Sequence, residues 1–358
     1  MTTARTLAVK RDALETTTLL EEALPELGAG DVLLAIDRVG LTTNNVTYAL
    51  LGATAFRYWD FFPTKPGFGI VPVWGFATVA ASKVEGVEVG SRVYGYFPMA
   101  NYLIVRPTRI NESGFTDASP HRADLPAAYN SYTMTSTDPI YSAANEDLEV
   151  LFRPLFWTSF LLADQIVDTD YYGAEQLVIS SASSKTAYGT AAILSSQGRH
   201  VVGLTSANNA DFTRGLGCYD LVLTYDDVDQ LATVPSAYID FSGSGDTLVS
   251  LRRHLGDHLV REVIVGVTHQ QLAGPAALGG SRTSVFFAPD QLRKRNEDWG
   301  RAELAGRLAS VWFDFVLLAR DSVDVVVGTG FDALRDVWLE VLGGTSSPRA
   351  GHVLVLSQ

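Results

Sequence analysis

The sequence predicts an α/β protein in two parts, a β-rich front followed by a doubly wound parallel sheet. Three observations carry this. Short β-branched or apolar runs bounded by Gly and Pro fill the first third of the chain. From Leu151 the pattern changes to apolar runs alternating with longer periodic segments. Finally, 358 residues with 47% hydrophobic content are enough for roughly two domains with substantial cores.

In the front, residues 7–9, 32–39, 75–81, 92–96 and 102–105 read as strands. Gly28, Gly30, Gly40, Gly86, Gly90, Pro98 and Pro107 punctuate them, which suggests a small barrel or sandwich. Residues 108–149 are polar and turn-rich. Residues 155–166 then read as a helix, 176–181 as a buried strand, and 186–196 as a helix of small residues. Strands follow at 200–205, 221–225, 237–241 and 262–267, with helices at 209–216 and 247–254. This βαβα order implies a parallel sheet with right-handed crossovers. Residues 290–319 read as one or two helices holding Trp299 and Trp312, 331–342 as a helix, and 351–356 as a closing strand. The expected domains are 1–150 with 321–358, and 151–320.

Charge and composition exclude whole classes of function. Lys and Arg number 27 against 40 Asp and Glu, a net charge of −13. A nucleic-acid partner is therefore not expected, because it needs basic faces that displace counterions. The single cysteine, Cys218, rules out a disulfide framework and a zinc site built from several thiolates. The histidines are scattered; His254 and His258 lie four apart but lack a third ligand nearby, so no metal is expected. The first residues carry no long apolar run, and the apolar stretch 311–319 is interrupted by Asp314. These features fit a cytoplasmic protein with no membrane partner.

Chemistry concentrates in Gln176-Leu-Val-Ile-Ser-Ser-Ala-Ser-Ser-Lys-Thr-Ala-Tyr-Gly-Thr-Ala. A buried strand runs through a tight polar turn into a helix, the place where a dinucleotide pyrophosphate meets free amides and the helix dipole. The usual glycines are absent. Ser181, Ser184 and Lys185 stand where close backbone approach favours Gly, and Ala187 replaces the last one. The hydroxyls of Ser181, Ser183, Ser184 and Thr186 could donate to phosphate instead, with Lys185 supplying charge. The competing reading is a capped helix without ligand, with Ser183 or Ser184 as N-cap. A lysine in the first turn opposes the helix dipole, which favours the anion. The second strand ends in Thr205, Ser206, Ala207 and Asn208, with no acid before Asp211 and with Arg214 nearby. That composition suits a 2′-phosphate, hence NADP(H) over NAD(H). Alternatively, Thr205, Ser206 and Asn208 make a turn and cap the next helix. Asp240-Phe-Ser-Gly-Ser-Gly follows the fourth strand and lacks the nucleophile-elbow spacing.

At this point the residues carry a resemblance. The front, with residues 33–39 and 75–81, Gly90-Ser-Arg-Val-Tyr-Gly and Asn101-Tyr-Leu-Ile-Val, resembles the GroES-like barrel of medium-chain dehydrogenases/reductases. The middle and Gly351-His-Val-Leu-Val resemble the Rossmann domain and closing strand of the same superfamily. Closer still, Val71-Pro-Val-Trp-Gly-Phe-Ala, Gly95-Tyr-Phe-Pro-Met-Ala, Tyr129-Asn-Ser-Tyr, Ser180-Ser-Ala-Ser-Ser-Lys-Thr-Ala and Gly203-Leu-Thr-Ser look like the DUF2855 family. The superfamily implies an interdomain cofactor cleft; the family implies no substrate. Zinc-dependent members carry ligands early in the front domain, where Cys218 cannot serve, so the chain resembles the zinc-independent quinone- and enoyl-reductase branch.

That branch has an Asn-rich turn after its second long strand, matched by Leu41-Thr-Thr-Asn-Asn-Val. The resemblance implies that Asn44 or Asn45 faces nicotinamide or substrate; a plain turn is the alternative. Without zinc, an electrophile must stabilise the developing oxyanion, or solvent must protonate it. Tyr58, Tyr96, Tyr129 and Tyr132 are the candidates, and each also reads as core or rim packing. Trp59, Phe61, Phe62, Trp74 and Phe97 would make an apolar, aromatic substrate cleft or pack the core, Trp74 reading first as core. The resemblance brings Ser242, Gly243 and the rest of their turn near the nicotinamide ribose; a plain Gly/Ser turn is equally consistent. Thr283-Ser-Val-Phe-Phe-Ala-Pro looks like an edge strand that pairs with its twin in a homodimer.

The expected function is an NADPH-dependent, zinc-independent reductase of a carbonyl or activated alkene. Its catalytic candidates are Asn45, Tyr58, Tyr96 and Lys185, acting on a small apolar or aromatic substrate. The alternatives are a non-redox lyase using Lys185 as a Schiff-base amine, or a protein that binds NADPH without turnover.

Overall fold

The computed structural model describes residues 3–54, 56–265 and 281–356. The chain divides into two compact units, Met1–Leu151 with Asp324–Gln358, and Phe152–Val323.

The first unit opens with β1 (Thr3–Lys10), β2 (Ala13–Ala23), β3 (Val32–Leu41), helix α1 (Thr43–Leu50) and the short β4 (Phe68–Gly69). Next come β5 (Pro72–Ser82), β6 (Arg92–Pro98), β7 (Tyr102–Val105), β8 (Pro107–Asn111), β9 (Gly114–Asp117) and β10 (Ser131–Met134). Along β3 burial alternates at Val32, Leu34 and Ile36, the period-two signature of a sheet with one face on a core. Strand β2 is not apparent in the sequence because most of its residues are exposed; antiparallel pairing with β1 holds it. The turn-rich reading of 108–149 gives way to β9, β10 and most of β8. These strands are too short and polar to show a period, and they form by pairing with one another and with β6.

Helix α2 (Glu146–Asp168) starts earlier than the expected residue 155 and carries Pro154 inside. Proline has no N–H to give to the carbonyl of Val150. That same carbonyl faces Gly40 of β3, where an added Cβ would come within 2.3 Å of it. Among the described residues α2 is the one helix long and apolar enough to cross a membrane, and most of that apolar stretch is buried inside the protein.

The second unit contains β11 (Gln176–Ile179), α3 (Lys185–Ser196), β12 (His200–Thr205), α4 (Ala210–Gly215), β13 (Leu221–Thr224) and β14 (Ser236–Asp240). It continues through α5 (Gly245–Leu255), β15 (Leu259–Val265), β16 (Thr283–Phe286), α6 (Ala288–Asp298) and α7 (Arg301–Ser322). The expected helical run 290–319 is two helices, broken at Gly300, whose φ of 79° is a glycine conformation. Residues 266 and 267 of the expected fifth strand lie outside the described residues, as does His269. All six strands run parallel in the order β13-β12-β11-β14-β15-β16. This is the doubly wound 3-2-1-4-5-6 arrangement, and its chain reversal falls between β11 and β14. Both strands are buried along their whole length, as a sheet covered on two faces requires.

The chain then returns to the first unit through β17 (Asp324–Thr329), α8 (Gly330–Leu342) and β18 (Ala350–Val355). Strand β18 pairs antiparallel with β3, and β17 forms the sheet edge beyond it. The core of this unit gathers Val32, Leu34, Phe61, Val73, Tyr96 and Trp338.

Candidate functional site

In the second unit the site grows from the carboxyl ends of β11 and β14. Ser180 follows β11 and is fully buried; its Oγ donates to Asp240 Oδ1 at 2.9 Å, across the chain reversal. The same serine Oγ accepts from the N–H groups of Phe241 and Ser242. Asp240 Oδ1 gathers five donors: Ser180 Oγ, Tyr238 Oη, Ser242 N, Ser242 Oγ and Gly243 N, all within 3.0 Å. The Asp-Phe-Ser-Gly turn is thus wrapped around one carboxylate oxygen, and Gly243 takes a φ of 64° to close it. Asp240 and Tyr238 were not picked out as site residues in the sequence. The usable signal was an Asp ending a strand before Ser and Gly.

The β11–α3 turn has its own locks. Ser181 adopts φ 47°, the left-handed conformation that a glycine ordinarily fills, and its N–H donates to Tyr225 Oη at 2.9 Å. Tyr219 Oη donates to the carbonyl of Ala182. Ala182 is fully buried against Gly203 of β12, where a Cβ would approach it to 2.9 Å. Ser184 is the N-cap of α3, its Oγ accepting from Ala187 N at 3.4 Å. Ser183 Oγ accepts from Asn209 Nδ2 at 3.2 Å and lies 3.5 Å from Thr205 Oγ1. Thus Ser181, Ser183, Ser184 and Thr205 do converge on one turn. Thr186 follows in the first turn of α3, and its carbonyl accepts from Ser159 Oγ and Thr190 Oγ1. Ser206 is exposed just beyond β12, and Arg214 pairs with Asp211 at 2.7 Å on the exposed face of α4.

Lys185 opens α3. It is half-buried, its Nζ 6.0 Å from the centre of the Phe152 ring. Burial disfavours the ammonium and pulls its pKa down to about 8. The N–H groups of Lys185 and Thr186 belong to the first helical turn and have no carbonyl ahead of them within α3. A helix N-terminus, a half-buried amine and converging hydroxyls together make a surface for an anion.

In the first unit a second group of side chains assembles around α1. The expected Asn-rich turn is the start of this helix, because Thr42 N–H donates to Asn45 Oδ1 at 2.7 Å and caps it. Asn45 is 3% exposed and its Nδ2 donates to the carbonyl of Pro72. The expectation that Asn45 faces a ligand is therefore corrected: both ends of its amide anchor the helix start. Asn44 is only half-buried, and its Nδ2 donates to Tyr48 Oη at 2.7 Å, one helical turn away.

Tyr48 is the centre of a phenol cluster that the sequence reading missed. Its ring centroid lies 4.7 Å from Tyr58 and 5.6 Å from Tyr96, and Tyr96 lies 4.7 Å from Tyr129. Trp74 is half-buried with its indole N–H on Tyr48 Oη at 3.2 Å, so it belongs to this cluster and not to the interior of the core. Tyr58 and Tyr129 bring their hydroxyls within 3.3 Å. Burial pushes Tyr58 up to about 12 and raises Tyr48, Tyr96 and Tyr129 as well, so all four stay protonated and able to donate. Tyr48 accepts in both of its hydrogen bonds, which leaves its own proton available. Tyr96 Oη is buried and has no hydrogen-bond partner among the described residues. Tyr132, by contrast, sends its hydroxyl to the carbonyl of Tyr96 and accepts from Arg122, apart from the cluster. Trp59 fills the space over Gly52 and Gly69, and Phe97 is wholly buried, both as core.

Among the described residues no group of three or more His, Cys, Asp or Glu could hold a metal. His254 Nε2 meets the carbonyl of Leu231, and Cys218 is a buried thiol whose pKa burial raises to about 12.

The comparisons with known proteins follow from this geometry. A family model described as "Protein of unknown function (DUF2855)" matches residues 39–347. The chain belongs to the DUF2855 family. None of the curated proteins matches it. Among solved structures, this family member is similar to CurA from Vibrio vulnificus in complex with NADPH, at 16% identity, over 99% of each chain, with a TM-score of 0.62. It is also similar to the quinone oxidoreductase from Coxiella burnetii, at 14% identity over 98% of this chain and 99% of that one, TM-score 0.56. The CurF ER cyclopropanase of the curacin A biosynthetic pathway matches at 14% identity, over 99% of each chain, with a TM-score of 0.59. At these identities the likeness concerns the fold. The DUF2855 chain therefore has the GroES-like plus Rossmann architecture of the medium-chain dehydrogenases/reductases.

Proposed function

We propose that this DUF2855 protein is a zinc-independent oxidoreductase that binds NADP(H) and reduces a carbonyl or an activated alkene. The observation that carries the reading is Lys185, a half-buried amine with a depressed pKa in the first turn of α3 at the reversal point of a 3-2-1-4-5-6 sheet. An ammonium there opposes the helix dipole and has lost much of its hydration, and a phosphate offsets both penalties. The residues present suit a dinucleotide. The amides of Lys185 and Thr186, the Ser183 hydroxyl and Lys185 Nζ would hold the pyrophosphate. Thr205 and Ser206 follow β12 without an acid to repel a 2′-phosphate, and Arg214 can leave its exposed Asp211 partner at small cost. Ser242 and Gly243 would flank the nicotinamide ribose on the Asp240-locked turn. The similarity to the NADPH complex of CurA, to a quinone oxidoreductase and to the CurK enoyl reductase supports the same cofactor and reaction class.

When bound, the nicotinamide supplies hydride. The chain's own residues would meet the charge that develops on substrate oxygen. Tyr48, held by Asn44 and Trp74, has a proton to donate, and Tyr96 presents an unpartnered hydroxyl. With pKa values raised by burial these phenols act as hydrogen-bond donors to the oxyanion, leaving final protonation to solvent. Tyr58 supports the cluster through Tyr129. The surrounding rings of Phe61 and Trp74 suit an apolar or aromatic substrate. A homodimer formed through β16 belongs to this proposal, since Val285 and Phe287 expose apolar surface at that sheet edge.

Fluorescence titration with NADPH and NADH tests the reading. NADPH fluorescence is expected to rise and shift on binding, with NADH weaker; no change at saturating NADPH overturns it. A second reading is favoured by the same lysine. An amine with a pKa near 8 can condense with an aldehyde, losing water to form an imine. Borohydride trapping and mass mapping decide this, and an unmodified Lys185 removes it.

A further inference from the structure

Open sheet edges present unpaired backbone groups, and most edges of this protein are blunted against further pairing. Strand β8, at one end of the nine-stranded sheet, begins with Pro107, holds Arg109 at φ 51° and breaks register against β9. Strand β2, an edge of the three-stranded sheet, carries Glu15, Glu21 and Glu22. Strand β13 is four residues long. Strand β17, at the opposite end of the nine-stranded sheet from β8, has none of these devices. Its six residues, Asp-Val-Val-Val-Gly-Thr, hold one charge, which pairs with Arg349 at 3.2 Å. Its register with β18 is unbroken from Asp324 to Thr329. Val325, Val326 and Val327 are 38%, 50% and 51% exposed, so valines lie uncovered on both faces of the strand.

The backbone of β17 is equally open. Asp324 N–H donates to the carbonyl of Arg349, on the β18 side. In a parallel ladder the two polar groups of a residue point the same way, and the direction alternates along the strand. Val325 and Val327 therefore turn N–H and C=O away from β18, and Thr329 turns its N–H the same way. No strand among the described residues pairs with that side.

We infer that this edge binds a second copy of the chain, with β17 running antiparallel to its twin about a two-fold axis through Val327. Outward-facing residues then oppose one another: Val327 meets its own copy, and Val325 meets Thr329 of the second copy. Charge selects this register. Asp324 of each copy lies across from Gly330 of the other, the first residue of α8. That helix has no side-chain cap at its N-terminus, and Asp332 in its first turn is engaged by Arg335. Free amides and the positive end of the helix dipole therefore meet the incoming carboxylate at both ends of the paired strands. The axis stands perpendicular to the sheet, which puts both α8 helices on one face. Each connects its own β17 and β18, with Ala333 against Gly328. Their axes are thus two strand spacings apart, about 10 Å, an ordinary helix-packing distance.

Light scattering of the full chain at tens of micromolar, after size exclusion, tests this. Phe287→Lys charges the apolar end of the β16 edge and removes that other candidate interface, so the β17 contact is read alone. This variant is expected to have twice the mass of one chain, and Phe287→Lys with Val327→Lys the mass of one. In parallel, Val327→Cys is expected to form an intermolecular disulfide when its thiols are oxidised with diamide, and Val325→Cys is not. The two copies of residue 327 face each other, whereas those of residue 325 lie about 13 Å apart, beyond disulfide reach. The native Cys218 is buried. A monomeric Phe287→Lys protein overturns the proposal, as does a dimer that survives Val327→Lys, or cross-linking at 325 as fast as at 327. No cofactor enters the experiment, so its result is independent of the redox reading.

Discussion

The turn around Ser180–Ser184 and the phenol cluster around Tyr48 handle buried polar groups in opposite ways. In the turn they satisfy one another: a single oxygen of Asp240 receives five donors, and Ser181, Ser183 and Ser184 are engaged by Tyr225, Asn209 and Ala187. In the cluster, donor capacity is left over at Tyr48 and Tyr96. A saturated network fixes the shape of a backbone, whereas leftover donors in a buried place await a ligand. The serines that suggested phosphate ligands in the sequence thus mostly hold the turn. Anion recognition falls to the α3 amides, the Ser183 hydroxyl and Lys185.

The largest effect should come from breaking the saturated side. Asp240→Ala strands several buried donors at once, and is expected to cost about 3–5 kcal/mol in urea unfolding, with loss of NADPH binding. Asp240→Asn, which keeps an acceptor oxygen, should cost about half as much.

Lys185 sharpens the comparison through pH. Its pKa falls from 10.5 to about 8 on folding, so between those values the unfolded chain binds more protons than the folded one. Stability without cofactor should therefore rise as pH increases from about 8 to 10.5, by roughly 3 kcal/mol in all, and stay flat below 8 on this account. Denaturation midpoints of wild type against Lys185→Met check this, since the variant should lose the slope and bind NADPH about 10–100-fold more weakly.

On the unsaturated side, Tyr48→Phe removes one oxyanion donor and is expected to lower kcat about 100-fold with little change in NADPH affinity. An unchanged kcat would remove the cluster from the reaction. The smallest expected effect is Ser181→Gly. It relieves a left-handed serine but adds chain entropy to the unfolded state, for a net gain of about 0.5 kcal/mol by thermal unfolding.

Much of the fold was legible. Runs such as Gln176-Leu-Val-Ile and His200-Val-Val-Gly-Leu-Thr carry their own strand signal, being mostly apolar and each followed by a helix. Strands β2, β9 and β10 were not: β2 is largely exposed, β9 and β10 are four residues long with polar members, and all three become strands only when a neighbour pairs with them. The site divided the same way. Lys185, Ser183 and Thr205 could be grouped because strand–turn–helix order brings them to one sheet end. Tyr48 was passed over because α1 itself was not recognised, and Asn45 was taken for a ligand-facing residue when it is the helix anchor.

The sequence by itself determined the two-part architecture, the parallel order of the second unit and the position of the half-buried lysine, because these follow from local periodicity and chain order. Only the tertiary structure decided which polar atoms are used up and which remain. Asp240 collects donors from Ser180, sixty residues away, and Tyr48, Tyr58, Tyr96 and Tyr129 meet from separate segments. Hydrogen-bond satisfaction depends on distances between residues remote in sequence, and no pattern along the chain encodes it.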